Sequence, residues 1–173
     1  MSKIVDFYRG EDTDVENRLL SEMHGYSDDK MEASHTFIQW MFPLHEKSYH
    51  AVNSPVLTKN DVKEIQSSQL IKQNMRISLV HFLKFLGYSE DVDQKKIQWW
   101  ANTGNHNLLR ITRVIRSLRL FGLEDEAYRF YKMMDKVASE RGISNTTRDF
   151  WKLAAEGEIL SSITDKFLEL RRV

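Results

Sequence analysis

Arg110, Arg113, Arg116 and Arg119 recur at every third position in a stretch, Gln94 to Leu123, that also holds Lys95 and Lys96 and no acidic residue. The chain as a whole is neutral, so 19 basic residues elsewhere face all 25 acidic ones. Guanidinium forks grip phosphate and carboxylate oxygens in pairs, and a one-sided charge block in a neutral chain suits an anion or an acidic partner. On a helix the four arginines span about 180°, opposite the apolar stripe, with Leu109 and Leu120 inside the same arc. Arginine beside apolar groups is a mixture that interfaces favour. The competing structural reading puts this helix inside a bundle, its arginines paired with Glu124, Asp125, Asp61 or Glu64 and its leucines in the core.

Glu32 and His35 have the i,i+3 spacing of carboxylate–histidine metal sites in helical bundles. Such sites use the motif twice, and no second Glu-x-x-His occurs. A histidine hydrogen-bonded in a polar cluster is therefore the expectation, with no metal and no cofactor. His106 sits near a predicted helix start, where the positive end of the helix dipole disfavours its charged form, and Asn107 follows it. Of Trp99 and Trp100, core packing of both is the structural expectation, and the alternative has one of them, Trp100, line a groove as a stacking face. The search for catalytic motifs is negative: there is no Gly-x-Ser-x-Gly elbow, no phosphate-cradling glycine loop and no His-Glu-x-x-His.

The elements that must carry these residues are helical, because apolar positions recur at helical spacing and no long alternation suggests a strand. The pattern predicts a helix over 14–23, ended near Gly25, and a longer one over 28–42, with Ser27 as its N-cap and Pro43 as its stop. The narrow polar face of that second helix would carry Glu32, His35 and Gln39 together. Residues 43–57 read as a loop holding His45 and His50. Thr58 with Asp61 resembles a capping box, opening a helical stretch that reaches Leu86 and breaks near Ser67 and Ser68. A short helix is expected over 94–101. Another runs from Asn105 or His106 to Gly122, and the next from Leu123 to Arg141 before Gly142. Ser144 or Asn145 caps a last helical region that Gly157 divides. Six to eight helices with short connections make an irregular all-α bundle.

At 173 residues with two prolines and no glycine- or serine-rich stretch, the chain is expected to form one domain over 1–173. Zero cysteines exclude disulfides, thiolate metal sites and a cysteine nucleophile together. No apolar run approaches the length of a membrane-spanning helix, and the first residues lack the apolar centre of a secretory signal. A cytoplasmic protein is expected.

Two strings carry a resemblance to a known family. His35-Thr-Phe-Ile-Gln-Trp-Met-Phe-Pro-Leu44 and His106-Asn-Leu-Leu-Arg-Ile-Thr-Arg-Val-Ile-Arg-Ser-Leu118 resemble the conserved region of the opioid growth factor receptor family. Phe7-Tyr-Arg-Gly10, Leu57-Thr58, Phe85-Leu-Gly-Tyr88 and Leu120-Phe-Gly-Leu123 fall in the matching order, so the likeness covers Phe7 to Phe130. The resemblance implies a non-enzymatic protein of all-α fold. Vertebrate members bind the enkephalin pentapeptide, associate with the nucleus and carry long C-terminal tails that have no counterpart here. The chain looks like the short, stand-alone form found in bacterial and other microbial members.

The resulting expectation is a non-catalytic binding module for a peptide, protein or anionic partner. Its candidate surface comprises Arg110, Arg113, Arg116, Arg119, His106, Asn107 and Trp100, with the polar strip Glu32, His35 and Gln39. Two alternatives stay open. One is nucleic-acid binding through the arginine helix, which ranks lower because such domains are usually basic overall. The other is a metal-dependent enzyme using Glu32, His35 and His106.

Overall fold

Helix boundaries in this chain follow its capping side chains. In the computed structural model, which describes residues 2–49, 51–88 and 97–159, the Thr58 N–H donates to Asp61 Oδ2 at 2.8 Å and the Asp61 N–H donates back to Thr58 Oγ1 at 3.1 Å. This reciprocal box, expected from the sequence, starts helix α5, Lys59–Ser67. Ser68 then leaves the helical region, and its hydroxyl accepts from the Ile71 N–H at 3.3 Å to start α6, Gln69–Phe85. One serine both ends one helix and begins the next, which is the break that the shifting apolar stripe implied.

Two compact units divide the chain, residues 1–97 and 98–173. The first contains α1 (Lys3–Arg9), α2 (Leu20–Met23), α3 (Asp28–Ala33), α4 (Ile38–Met41), α5 and α6. Within it α1, α5 and α6 pack on one another. Ile71, Met75, Leu79, Phe82 and Phe85 of α6 are buried, as are Val5, Phe7 and Tyr8 of α1. Phe7 meets Trp40 edge to face at 5.3 Å, and Phe42 meets Phe82 at 5.6 Å, so aromatic side chains from the short helices fill the space beside α6. Among the described residues the second unit is a three-helix arrangement of α7 (Asn107–Leu120), α8 (Glu124–Arg141) and α9 (Asn145–Glu156), each packed on the other two. Ser144 caps α9 by accepting from the Thr147 N–H at 3.3 Å, and Gly142 ends α8 at φ +70°, a conformation glycine adopts without strain.

The all-α reading holds, with nine helices among the described residues. Two predicted helices are shorter than their apolar periodicity suggested. Residues 14–19 form a turn, because the Asp14 carboxylate accepts from the Glu16 and Arg18 N–H groups, both at 2.9 Å, and so competes with helical pairing. The expected helix over 28–42 divides into α3 and α4, with Ser27 capping α3 as predicted through the Lys30 N–H at 3.2 Å. Ser34 is extended, so the chain turns out of the helix one residue before His35. Lys95, Lys96 and His50 lie outside the described residues, as does the beginning of the short helix expected over 94–101. No described helix is long and apolar enough to cross a membrane.

Candidate functional site

The arginine helix is the first place to test the expected surface. α7 contacts both α8 and α9, and eleven of its fourteen residues are buried, too many for a half-circle of exposed arginines. Arg110 is 6% exposed, and its guanidinium donates to Asn107 Oδ1 at 3.3 Å, Asn107 itself being fully buried. Arg116 is 1% exposed. Arg119 is a structural fork: Nε donates to Glu124 at 2.9 Å, while Nη1 donates to the Ala154 carbonyl near the end of α9 at 2.8 Å. A cation at a helix C-terminus satisfies carbonyls that have no helical partner, so this contact ties the three helices of the second unit together. Leu120, placed outside by the contact-surface reading, is 1% exposed, and Trp100, the candidate stacking face, has no exposure. What α7 and the His106 before it present to solvent is narrower: His106 and Leu109 are exposed, and Arg113 and Arg119 are half-buried. The pairing of Arg119 with Glu124 follows the structural reading, whereas Glu64 pairs with Arg9 of α1 at 2.7 Å instead.

The polar strip of the first unit is not assembled as a helix face either. Glu32 lies in α3, His35 is exposed beyond its end, and Gln39 is buried in α4. The i,i+3 geometry needed by a carboxylate–histidine metal pair therefore does not form. Among the described residues no group of three or more His, Asp or Glu side chains is close enough to hold a metal ion.

Two arrangements that the sequence did not reveal lie in the first unit. The Tyr8 hydroxyl, fully buried, donates to the Met41 carbonyl and lies 3.1 Å from Ser78 Oγ. Ser78 Oγ in turn lies 2.8 Å from His24 Nε2 and 3.2 Å from the Asn74 carbonyl, and the His24 and His81 rings are 6.4 Å apart. Burial, with the neighbouring His81, holds His24 down to about 4. Burial and Lys84 lower His81, against the opposing pull of Asp28. Burial raises Tyr8, partly offset by Ser78. A serine within hydrogen-bond distance of a histidine meets the distance requirement of a nucleophile and its base. Ser78 has no exposed surface, however, and its hydroxyl is engaged on three sides. This network connects α1, α6 and the end of α2 and fixes their register.

The second arrangement is open to solvent. A groove of about 360 Å³ is lined by Val15, Glu16, Thr36, Trp40, Ala51, Val52, Asn53 and Ser54. Its walls are built by specific contacts. The Asp14 carboxylate holds Arg18 at 2.6 Å, and Arg18 reaches across to donate to Thr36 Oγ1 at 3.1 Å and to the Thr36 carbonyl at 3.2 Å. Asp14 is 1% exposed, so this bridge between the 14–19 turn and the chain before α4 is shielded from water on one side. The opposite wall is a turn closed by the Ser54 N–H on the Ala51 carbonyl at 3.0 Å. It is anchored where the Leu57 N–H donates to the Leu44 carbonyl at 2.8 Å. Trp40 is 4% exposed and supplies the apolar floor, whereas Val15 and Val52 are 50% and 95% exposed at the rim. Glu16 shares Arg18 with Asp14, so two carboxylates face one guanidinium and the rim is left net negative.

Comparison with known proteins gives a consistent result. The profile of the opioid growth factor receptor (OGFr) conserved region matches residues 4–148. "Opioid growth factor receptor" of Homo sapiens is 34% identical over 135 residues, covering 69% of this chain and 20% of that protein. "Opioid growth factor receptor-like protein 1" of Rattus norvegicus is 29% identical over 106 residues, covering 56% of this chain and 22% of that protein. The chain thus spans about a fifth of the length of these curated relatives. No solved structure matches it.

Proposed function

This chain belongs to the opioid growth factor receptor family by its conserved region, and on that premise we propose that it is a non-catalytic binding module whose groove in the first unit holds a short peptide. The observation that carries the reading is the groove itself. Its floor and one wall, Trp40 and Thr36, come from the 35–44 string that carries the family resemblance, and its rim exposes Val15 and Val52. A volume of 360 Å³ is at the small end of the range for ligand sites, and suits one or two side chains of a longer segment. Apolar walls with polar Thr36, Asn53 and Ser54 beside them match what peptide recognition uses, burial for affinity and a few hydrogen bonds for orientation. The net negative rim at Glu16 favours a cationic group, such as a peptide's amino terminus, over an anionic one.

The enkephalin pentapeptide that the family resemblance implies is the first probe to use, in keeping with a relative's name, opioid growth factor receptor. Calorimetric titration of the full chain with that pentapeptide tests the reading, with Val52→Lys as the comparison. Val52 is 95% exposed, so the substitution leaves the fold intact while placing a charge at the mouth of the groove. Binding by the native chain that Val52→Lys abolishes supports the groove. Undiminished binding by the variant moves the site elsewhere.

A second reading rests on the exposure of Leu109, 56%, beside exposed His106 and half-buried Arg113. These three reach solvent on the arginine surface apart from Arg119, which is engaged by Glu124, and an anionic or acidic partner would contact them. Loss of binding in Arg113→Glu but not in Val52→Lys identifies that case.

A further inference from the structure

α6 carries apolar side chains on two separate faces, and only one of them is used in the core. Ile71, Met75, Phe82 and Phe85 are buried at 0–3% exposure, whereas Leu70, Ile77 and Val80 are 55%, 43% and 66% exposed. At 100° per residue the centres of the two arcs are about 140° apart, with about 60° between their nearest members, Leu70 and Phe85, so the exposed set is not a fringe of the buried one. Leu70, Ile77 and Val80 follow spacings of seven and three, the seam of a helix that pairs with another helix, over a length of about 15 Å. Gln73 and Lys84 complete that seam, and both are exposed.

The charge on this helix says what kind of helix would pair with it. α6 contains Lys72, Arg76 and Lys84 and no aspartate or glutamate. Val80 lies between Arg76 and Lys84 around the helix axis, so its neighbours on that side are cationic. The far margin of the stripe holds Asn74 and His81, and Asp28 registers at His81. Pairing α6 with a second copy of itself would oppose two helices that each carry three positive charges and no negative one. Like charges across a seam disfavour that arrangement.

We infer that the outward face of α6 docks an acidic amphipathic helix of a partner protein, with Leu70, Ile77 and Val80 as the apolar contact and Arg76 and Lys84 facing the partner's carboxylates. This surface is separate from the groove and does not depend on the peptide reading. Three exposed side chains make a small apolar contact, so the complex is weak and its affinity falls with salt.

The test uses the full chain and two synthetic helical peptides of equal length, with leucine and isoleucine at their seam positions. One carries glutamate at the flanking positions and the other carries lysine. Fluorescence polarisation is read at low and at physiological salt, with circular dichroism confirming the fold of each variant. The proposal predicts that the acidic peptide binds at least tenfold more tightly than the basic one, and that salt weakens it. It also predicts that the double variant Ile77→Ser, Val80→Ser loses at least tenfold in affinity with an unchanged spectrum. Equal binding of both peptides, or binding indifferent to the double variant, overturns it. So does concentration-dependent self-association that the double variant abolishes, which would make the occupant a second copy. Binding to phosphatidylserine vesicles through these residues, without binding the acidic peptide, overturns it in favour of a membrane surface.

Discussion

Lowering the pH from 7.5 to 5 is expected to weaken the first unit through His24. Its ring is hydrogen-bonded to buried Ser78 and packed near His81, and its pKa is held down to about 4 from an ordinary 6.5. A depressed value means that the unfolded chain binds the proton first. The stabilising contribution is therefore fully present above about pH 6.5 and is lost as the pH falls toward 4. At pH 5 the full shift corresponds to about 2 kcal/mol, and because the ring is only half-buried, solvent screening reduces this to about 1 kcal/mol. His81, lowered in the same direction, adds to the effect. The perturbation that isolates His24 is His24→Gln, which cannot titrate and retains an amide to meet Ser78. Urea unfolding at pH 7.5 and 5, with amide exchange in α6 as the local readout, gives the two losses of stability. The native chain should lose about 1 kcal/mol more than the variant across that interval. Equal losses would refute the reasoning, because they would show that His24 titrates alike in the folded and unfolded states.

Arg116→Glu is expected to unfold the second unit, since it places a carboxylate at a position 1% exposed, while Arg113→Glu leaves the circular dichroism spectrum intact. Thermal melts of the two variants check the contrast. Thr58→Ala removes the acceptor for the Asp61 N–H at the start of α5 and should cost about 1 kcal/mol in urea unfolding. Arg119→Ala breaks both the Glu124 pair and the contact to the Ala154 carbonyl, and a loss of about 1–3 kcal/mol is expected, with faster amide exchange at the end of α9. In Trp151→Phe the indole donor to the Leu108 carbonyl is lost at 3.1 Å, but Thr112 Oγ1 still donates there, so the cost stays near 1 kcal/mol in the same assay.

The parts of this fold that the sequence made legible are those written in neighbouring residues. Thr58 with Asp61, Ser68 between two stripes, Ser144 before α9 and Gly142 after α8 each act within four residues of themselves. The misreadings arose where a side chain acts at a distance or where packing is two-sided. Asp14 and Arg18 fit a helical pattern, yet the carboxylate takes the backbone of its own turn and the guanidinium reaches Thr36. The arginines of α7 fall opposite its apolar stripe on a helical wheel, but α9 covers part of that opposite side and turns Arg119 into a clasp. Tyr8, His24 and Ser78 are separated by 16 and 54 positions, so no spacing rule could join them. The groove had a partial signal: Trp40 belonged to the most recognisable string in the chain, while Val52 read as an ordinary loop residue and Val15 as part of a helix.

Amide and indole chemical-shift mapping of the full chain during titration with the enkephalin pentapeptide tests the binding-module reading most directly. The account predicts saturable shifts at Val15, Thr36, Val52, Asn53 and the Trp40 indole, with residues of α7 unmoved. Shifts confined to His106, Leu109 and Arg113, or no shift at any peptide concentration, would contradict it.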